Sequence, residues 1–183
     1  MIEISYAEMV IFISIIWCFS RAVIWVKNRK ISWLRELQLL LVYVCIIVVV
    51  RITFCPLERV DGKLQPLIFN IAKVFPFRIN LIPVVNLFDY VDKKEAILNF
   101  VGNTTMFIPI GIIFPAVYKE LNIPFKVIAG GVAFSLCVEI FQLPFCDRVT
   151  DIDDLLMNTL GYLVGYGVYV LVKKVKNRTC VRV

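Results

Sequence analysis

Histidine is absent from all 183 residues. That removes the commonest general base and the commonest metal ligand, so proton transfer must fall to other groups. Charge is scarce as well. Only 19% of residues are charged and 60% are hydrophobic, whereas a soluble domain is about a quarter charged and about half apolar. The six cysteines (Cys18, Cys45, Cys55, Cys137, Cys146 and Cys180) include no CxxC pair, so the usual zinc and redox motifs are excluded. The opening stretch MIEISYAEMVIF has two glutamates and no Lys or Arg. A secretory signal needs a basic start, so the first apolar span is expected to stay in the protein. Basic and aromatic residues do not interleave into a surface for nucleic acid. The net charge of +6 is therefore read as a topology signal.

What the sequence does have is long apolar runs separated by short charged stretches. A span needs roughly 20 mostly apolar residues to cross the hydrocarbon. Five candidates lie at about 7–26, 37–54, 97–117, 126–146 and 155–172. The fifth is short, with residues 151–154 at the interface. The expected fold is all-α: a polytopic membrane helix bundle forming one domain over residues 1–183. The segment PLIFNIAKVFPFRINLIPVVNLFDY is apolar but broken by Pro66, Pro76 and Pro83. It is too interrupted for a clean membrane helix, and an interfacial or re-entrant segment fits better.

Orientation follows from loop charges. The stretch after span one, the loop between spans three and four, and the tail after span five share one side by alternation and hold 11 Lys or Arg. The other side holds the N-terminus with none, a loop of about 42 residues with six, and the turn after span four with one. The N-terminus is thus expected outside and the C-terminus in the cytoplasm of a cell-membrane protein. Cys55 and Cys146 fall on one side, where a disulfide between them is conceivable.

Polar residues gather near the outer ends of several spans. At about 1.5 Å of rise per residue, Glu139 is expected roughly 10 Å deep, Asn103 roughly 9 Å, Gln142 roughly 6 Å and Asn158 roughly 5 Å. Arg51 lies at a similar level in span two. Ser135, Glu139 and Gln142 share a helix face by their spacing, as do Asp151, Asp154, Asn158, Gly161 and Gly165, and as do Asn99 and Asn103. An ionised carboxylate facing lipid costs about 2.5–3.5 kcal/mol or more. Glu139 is therefore expected to face the bundle, either protonated or paired, with Arg51 and Arg148 as its candidate partners. Buried interhelical hydrogen bonding is the plain alternative to a ligand or catalytic role for Glu139 and Gln142. For Asp151 and Asp153 the plain alternative is helix capping. A divalent cation held by Asp151, Asp154 and Glu139 is conceivable, but neither a metal nor another cofactor is expected. Gly161 and Gly165 read as a seam of close helix packing. A break at residues 143–144 would free backbone groups for nearby polar side chains.

These residues carry a resemblance. NTTMFIPIG (103–111), EIFQ (139–142) and RVTDIDDLLMNTLG (148–161) follow one another in the order found in the VanZ-like family, and NLIPVVNLF (80–88) resembles that family's upstream segment. The chain resembles the family over roughly residues 37–172. It departs from it at Asp147, where glycine is frequent, and at Val84, where an aromatic residue is usual. The resemblance implies a bacterial cell-envelope setting and a link to resistance to lipoglycopeptides such as teicoplanin. It does not supply a mechanism.

Three functions fit these observations. The first is an outward-facing polar pocket that binds or modifies a lipid-linked envelope precursor or a lipoglycopeptide antibiotic, in contact with membrane lipids. In it Glu139 and Asp154 would be the catalytic carboxylates, if there is catalysis. Asn103, Gln142, Arg148, Asp151, Asn158 and Arg51 would bind substrate. The second is a small proton-coupled transporter, against which stands the one-sided polar layer. The third is a non-catalytic accessory subunit of an envelope enzyme.

Overall fold

The computed structural model describes residues 2–29, 31–54, 59–60, 63–64, 66–69, 79–83, 93–145 and 150–180. Five described helices are long and apolar enough to cross a membrane: α1 (Tyr6–Asn28), α2 (Trp33–Phe54), α3 (Lys93–Val117), α4 (Pro124–Gln142) and α5 (Ile152–Cys180). The protein is a multi-pass membrane protein, helical as expected. Short strand pairs accompany the helices: β1 (Ile2–Ile4), β2 (Arg59–Val60), β3 (Lys63–Leu64), β4 (Leu67–Phe69), β5 (Ile79–Asn80) and β6 (Thr150–Asp151). Most of the expected interfacial segment, Arg148, and both cysteines of the conceivable disulfide lie outside the described residues.

Two helix ends differ from the expected spans. The fourth helix stops at Gln142 rather than near 146, because Pro144 disfavours a helical conformation at Leu143. The fifth is longer than its apolar run and continues through the basic tail to Cys180. Lys and Arg are good helix formers, and cations suit a helix C-terminus.

The chain divides into two compact units, Met1–Phe77 with Gln142–Arg148, and Arg78–Phe141 with Val149–Val183. In the first, Ser5 and Glu8 form a reciprocal capping box at the start of α1, which satisfies donors that the first turn leaves free. α1 and α2 run antiparallel. Arg51 lies over the Tyr6 ring at 5.3 Å, Ser14 and Tyr43 share a hydrogen bond of 2.6 Å, and Arg21 pairs with Glu36. α1 has no fully buried residue, and its large apolar side chains, such as Phe12 and Phe19, are exposed, as suits a lipid-facing helix. β1 pairs antiparallel with β4, Ile2 opposite Phe69. Two strands can pair only on the same side of a membrane, so the start of the chain and the segment after α2 share a side.

The second unit is built on the contact between α3 and α5. A Cβ at Gly161 would lie 1.9 Å from the Thr104 carbonyl oxygen, and one at Gly165 would lie 2.1 Å from that of Ile108. The seam expected at these glycines is therefore a backbone-to-backbone contact. Because Thr104 meets Gly161 and Ile108 meets Gly165, the two helices run parallel. α4 joins them through Gly131, where a Cβ would sit 2.8 Å from the Tyr162 ring. Edge-to-face contacts of Phe114 with Phe134 and with Tyr162 fill the interior. Phe107, Ile110 and Tyr162 are fully buried there.

Candidate functional site

The polar residues of the second unit converge where β5, β6 and the neighbouring helix ends meet. β5 and β6 pair in parallel, with Ile79 opposite Thr150 and Asn80 opposite Asp151. This pairing brings the upstream NLIP stretch to the start of α5, 71 residues along the chain. The Asn80 side-chain amide donates to both carboxylate oxygens of Asp151, each at 3.3 Å. Its own carbonyl accepts the Ile82 N–H at 3.2 Å, a local turn of the kind asparagine favours.

Asp151 in turn starts α5. Its Oδ1 accepts the Asp153 N–H at 3.0 Å, the N-cap arrangement. The expected helical stripe from Asp151 to Gly165 therefore begins at Asp154, since Asp151 is extended. The Asp151 N–H donates to Glu139 Oε2 at 3.3 Å, and the Thr150 hydroxyl donates to the Glu139 carbonyl at 3.1 Å. The latter occupies a carbonyl that the last turn of α4 cannot satisfy itself. Glu139 is only 2% exposed. One turn further in, the Asn158 amide donates to the Ser135 hydroxyl at 3.1 Å. From α3, Asn103 donates to Asn99 Oδ1 at 3.2 Å and to Asp154 Oδ1.

Five of the expected site residues thus come together: Asn103, Glu139, Asp151, Asp154 and Asn158. Three do not. Arg51 belongs to the first unit and lies over Tyr6. Gln142 is the last residue of α4, one turn beyond Glu139, and is buried. Arg148 lies outside the described residues. The described contact of the Glu139 carboxylate is the Asp151 backbone N–H. The expected depths change too. Glu139 is three residues from the end of α4, Asn103 ten from the start of α3 and Asn158 six from the start of α5, or roughly 5, 15 and 9 Å. Helix termini at different heights, not equal depths from the ends, produce the meeting.

Sequence reasoning placed no role on Asn80 or Thr150. The signal for Asn80 was its place in the upstream segment, but a two-residue parallel pairing is not legible from local pattern. Among the described residues, no three acidic or thiol side chains are grouped to hold a metal ion. The set offers two carboxylates, Glu139 and Asp154, amid amides and hydroxyls. Such a set can hydrogen-bond hydroxyl, amide or amine groups and can exchange a proton with them.

The family model described as VanZ/LLP1 matches residues 40–173 of the chain. Protein VanZ of Enterococcus faecium is 33% identical over 119 residues, which is 63% of this chain and 67% of that protein. No solved structure matches the chain.

Proposed function

The chain belongs to the VanZ/LLP1 family, and from that premise we propose that its second unit holds a site that binds or modifies a lipid-linked or lipidated envelope molecule and so contributes to teicoplanin resistance. The site faces the exterior, with the N-terminus outside and the C-terminus in the cytoplasm. The density of Lys and Arg in the loops supports that orientation. The β1–β4 pair is consistent with it, since it puts the chain start on the same side as the segment after α2.

One observation carries the reading. Glu139 is an ionisable residue in a membrane-spanning helix, 2% exposed, and set in a network drawn from three helices and a strand pair. A carboxylate in a membrane is costly, so its presence there supports a functional role. Glu139 and Asp154 would bind or exchange protons with the polar part of the ligand. Asn103, Asp151 and Asn158 would hold and orient it, while its acyl part stays in the bilayer.

A teicoplanin derivative with a photoreactive acyl chain tests this on the intact protein in lipid vesicles. Crosslinks mapped by mass spectrometry are expected in 99–103, 139–142 and 150–158, and unlabelled teicoplanin should compete for them. Labels spread over the lipid-facing surface of α1, without competition, would refute the reading.

A further inference from the structure

Resting on that reading of the site, we propose that Asn80 is a positioning residue, which holds Asp151 so that the Asp151 backbone N–H fixes the Glu139 carboxylate. Three links make the chain. The Ile82 N–H occupies the Asn80 carbonyl at 3.2 Å, so the Asn80 side chain must present its NH2 end elsewhere. That end lies 3.3 Å from each Asp151 oxygen, a geometry that fixes the carboxylate plane. Asp151 is then held on two fronts. Its side chain caps α5 through the Asp153 N–H at 3.0 Å, and its backbone is paired to β5. Its own N–H is thereby left pointing at Glu139 Oε2, 3.3 Å away. The Thr150 hydroxyl on the Glu139 carbonyl at 3.1 Å ties the same residue from its backbone.

The chemistry requires an amide at position 80. Asparagine both accepts from Ile82 and donates to Asp151. Aspartate keeps the shape and the turn but sets a second carboxylate against the first, and like charges at this range repel. Serine keeps an acceptor for the turn, yet its short side chain cannot span to Asp151. A residue that served only the turn would tolerate either change. A residue that positions Asp151 tolerates neither.

The test has a readout that does not depend on function. A hydrophobic carbodiimide reacts with intramembrane carboxyls, and its labelling rate at Glu139 is measured by mass spectrometry on folded protein in lipid vesicles. Asn80→Asp should free Glu139 Oε2 and speed labelling about fivefold, the factor carried by one modest hydrogen bond. The exchange Asn80→Asp with Asp151→Asn restores an amide–carboxylate pair of reversed order and should return the rate to the wild-type value. If Asn80→Asp does not fold, Asn80→Ser should show the same acceleration. A wild-type rate in the single variant that folds, or no rescue in the exchange, overturns the inference. Failure of the functional reading looks different: the rates change as expected, while teicoplanin protection is unaffected by the same variants.

Discussion

Replacing Gly161 by alanine tests the architecture that holds the site. The added Cβ would sit 1.9 Å from the Thr104 carbonyl oxygen, where ordinary contact begins at 3.4 Å. The helices must therefore part by about 1.5 Å at that point, which is 3.4 less 1.9. The obstacle is backbone, so no side chain can rotate away. Overpacking ordinarily costs about 1–3 kcal/mol, and the cost here should reach at least ~3 kcal/mol, the top of that range. The internal controls are Gly102→Ala and Gly167→Ala, where a Cβ meets nothing within 4 Å. Those should be neutral or gain up to about 1 kcal/mol, because alanine is the better helix former. Unfolding in mixed detergent micelles, followed by circular dichroism, gives all three values. A Gly161→Ala protein as stable as the Gly102→Ala control would refute the parallel contact of α3 and α5.

Three further outcomes follow from particular contacts. Tyr162 is fully buried, and its hydroxyl has no hydrogen-bond partner among the described residues. Tyr162→Phe should therefore be neutral or stabilise by up to ~1 kcal/mol in the same unfolding assay, and a marked loss would reveal a partner for that hydroxyl. A double-mutant cycle on Ser135→Ala and Asn158→Ala should return a coupling near 0.6 and below about 1.7 kcal/mol, the range for hydrogen bonds between membrane helices; zero coupling would contradict the contact at 3.1 Å. Asp154→Asn keeps an acceptor for Asn103 and should fold with a helical spectrum like the wild type, yet lose teicoplanin protection in a sensitive host. Full protection would remove Asp154 from the proposed site.

The helices were legible because their signal is long and strong. Apolar runs of about 20 residues leave little choice of structure in a bilayer, and the spacing of Gly161 and Gly165 gave the seam. That Glu139, Asp154 and Asn103 face the interior was legible because a polar side chain in a span has few places to go. The contact of Asn80 with Asp151 was not legible, since it depends on pairing with a strand 71 residues away. Asp151 was half read: its capping role follows from its place before α5, but the hydrogen bond from its backbone to Glu139 is set by tertiary placement. The contact of Arg51 with the Tyr6 ring was not legible, because height in a span does not say which neighbours a side chain meets.

The most direct measurement is the protection conferred by a Glu139→Gln protein. Glutamine keeps the size of the side chain and an acceptor for the Asp151 N–H while removing the ionisable group. The account predicts a protein that inserts and unfolds like the wild type but leaves a sensitive host as susceptible to teicoplanin as one with no copy of the chain. A folded Glu139→Gln protein that protects as well as the wild type would show that this buried carboxyl only packs the bundle.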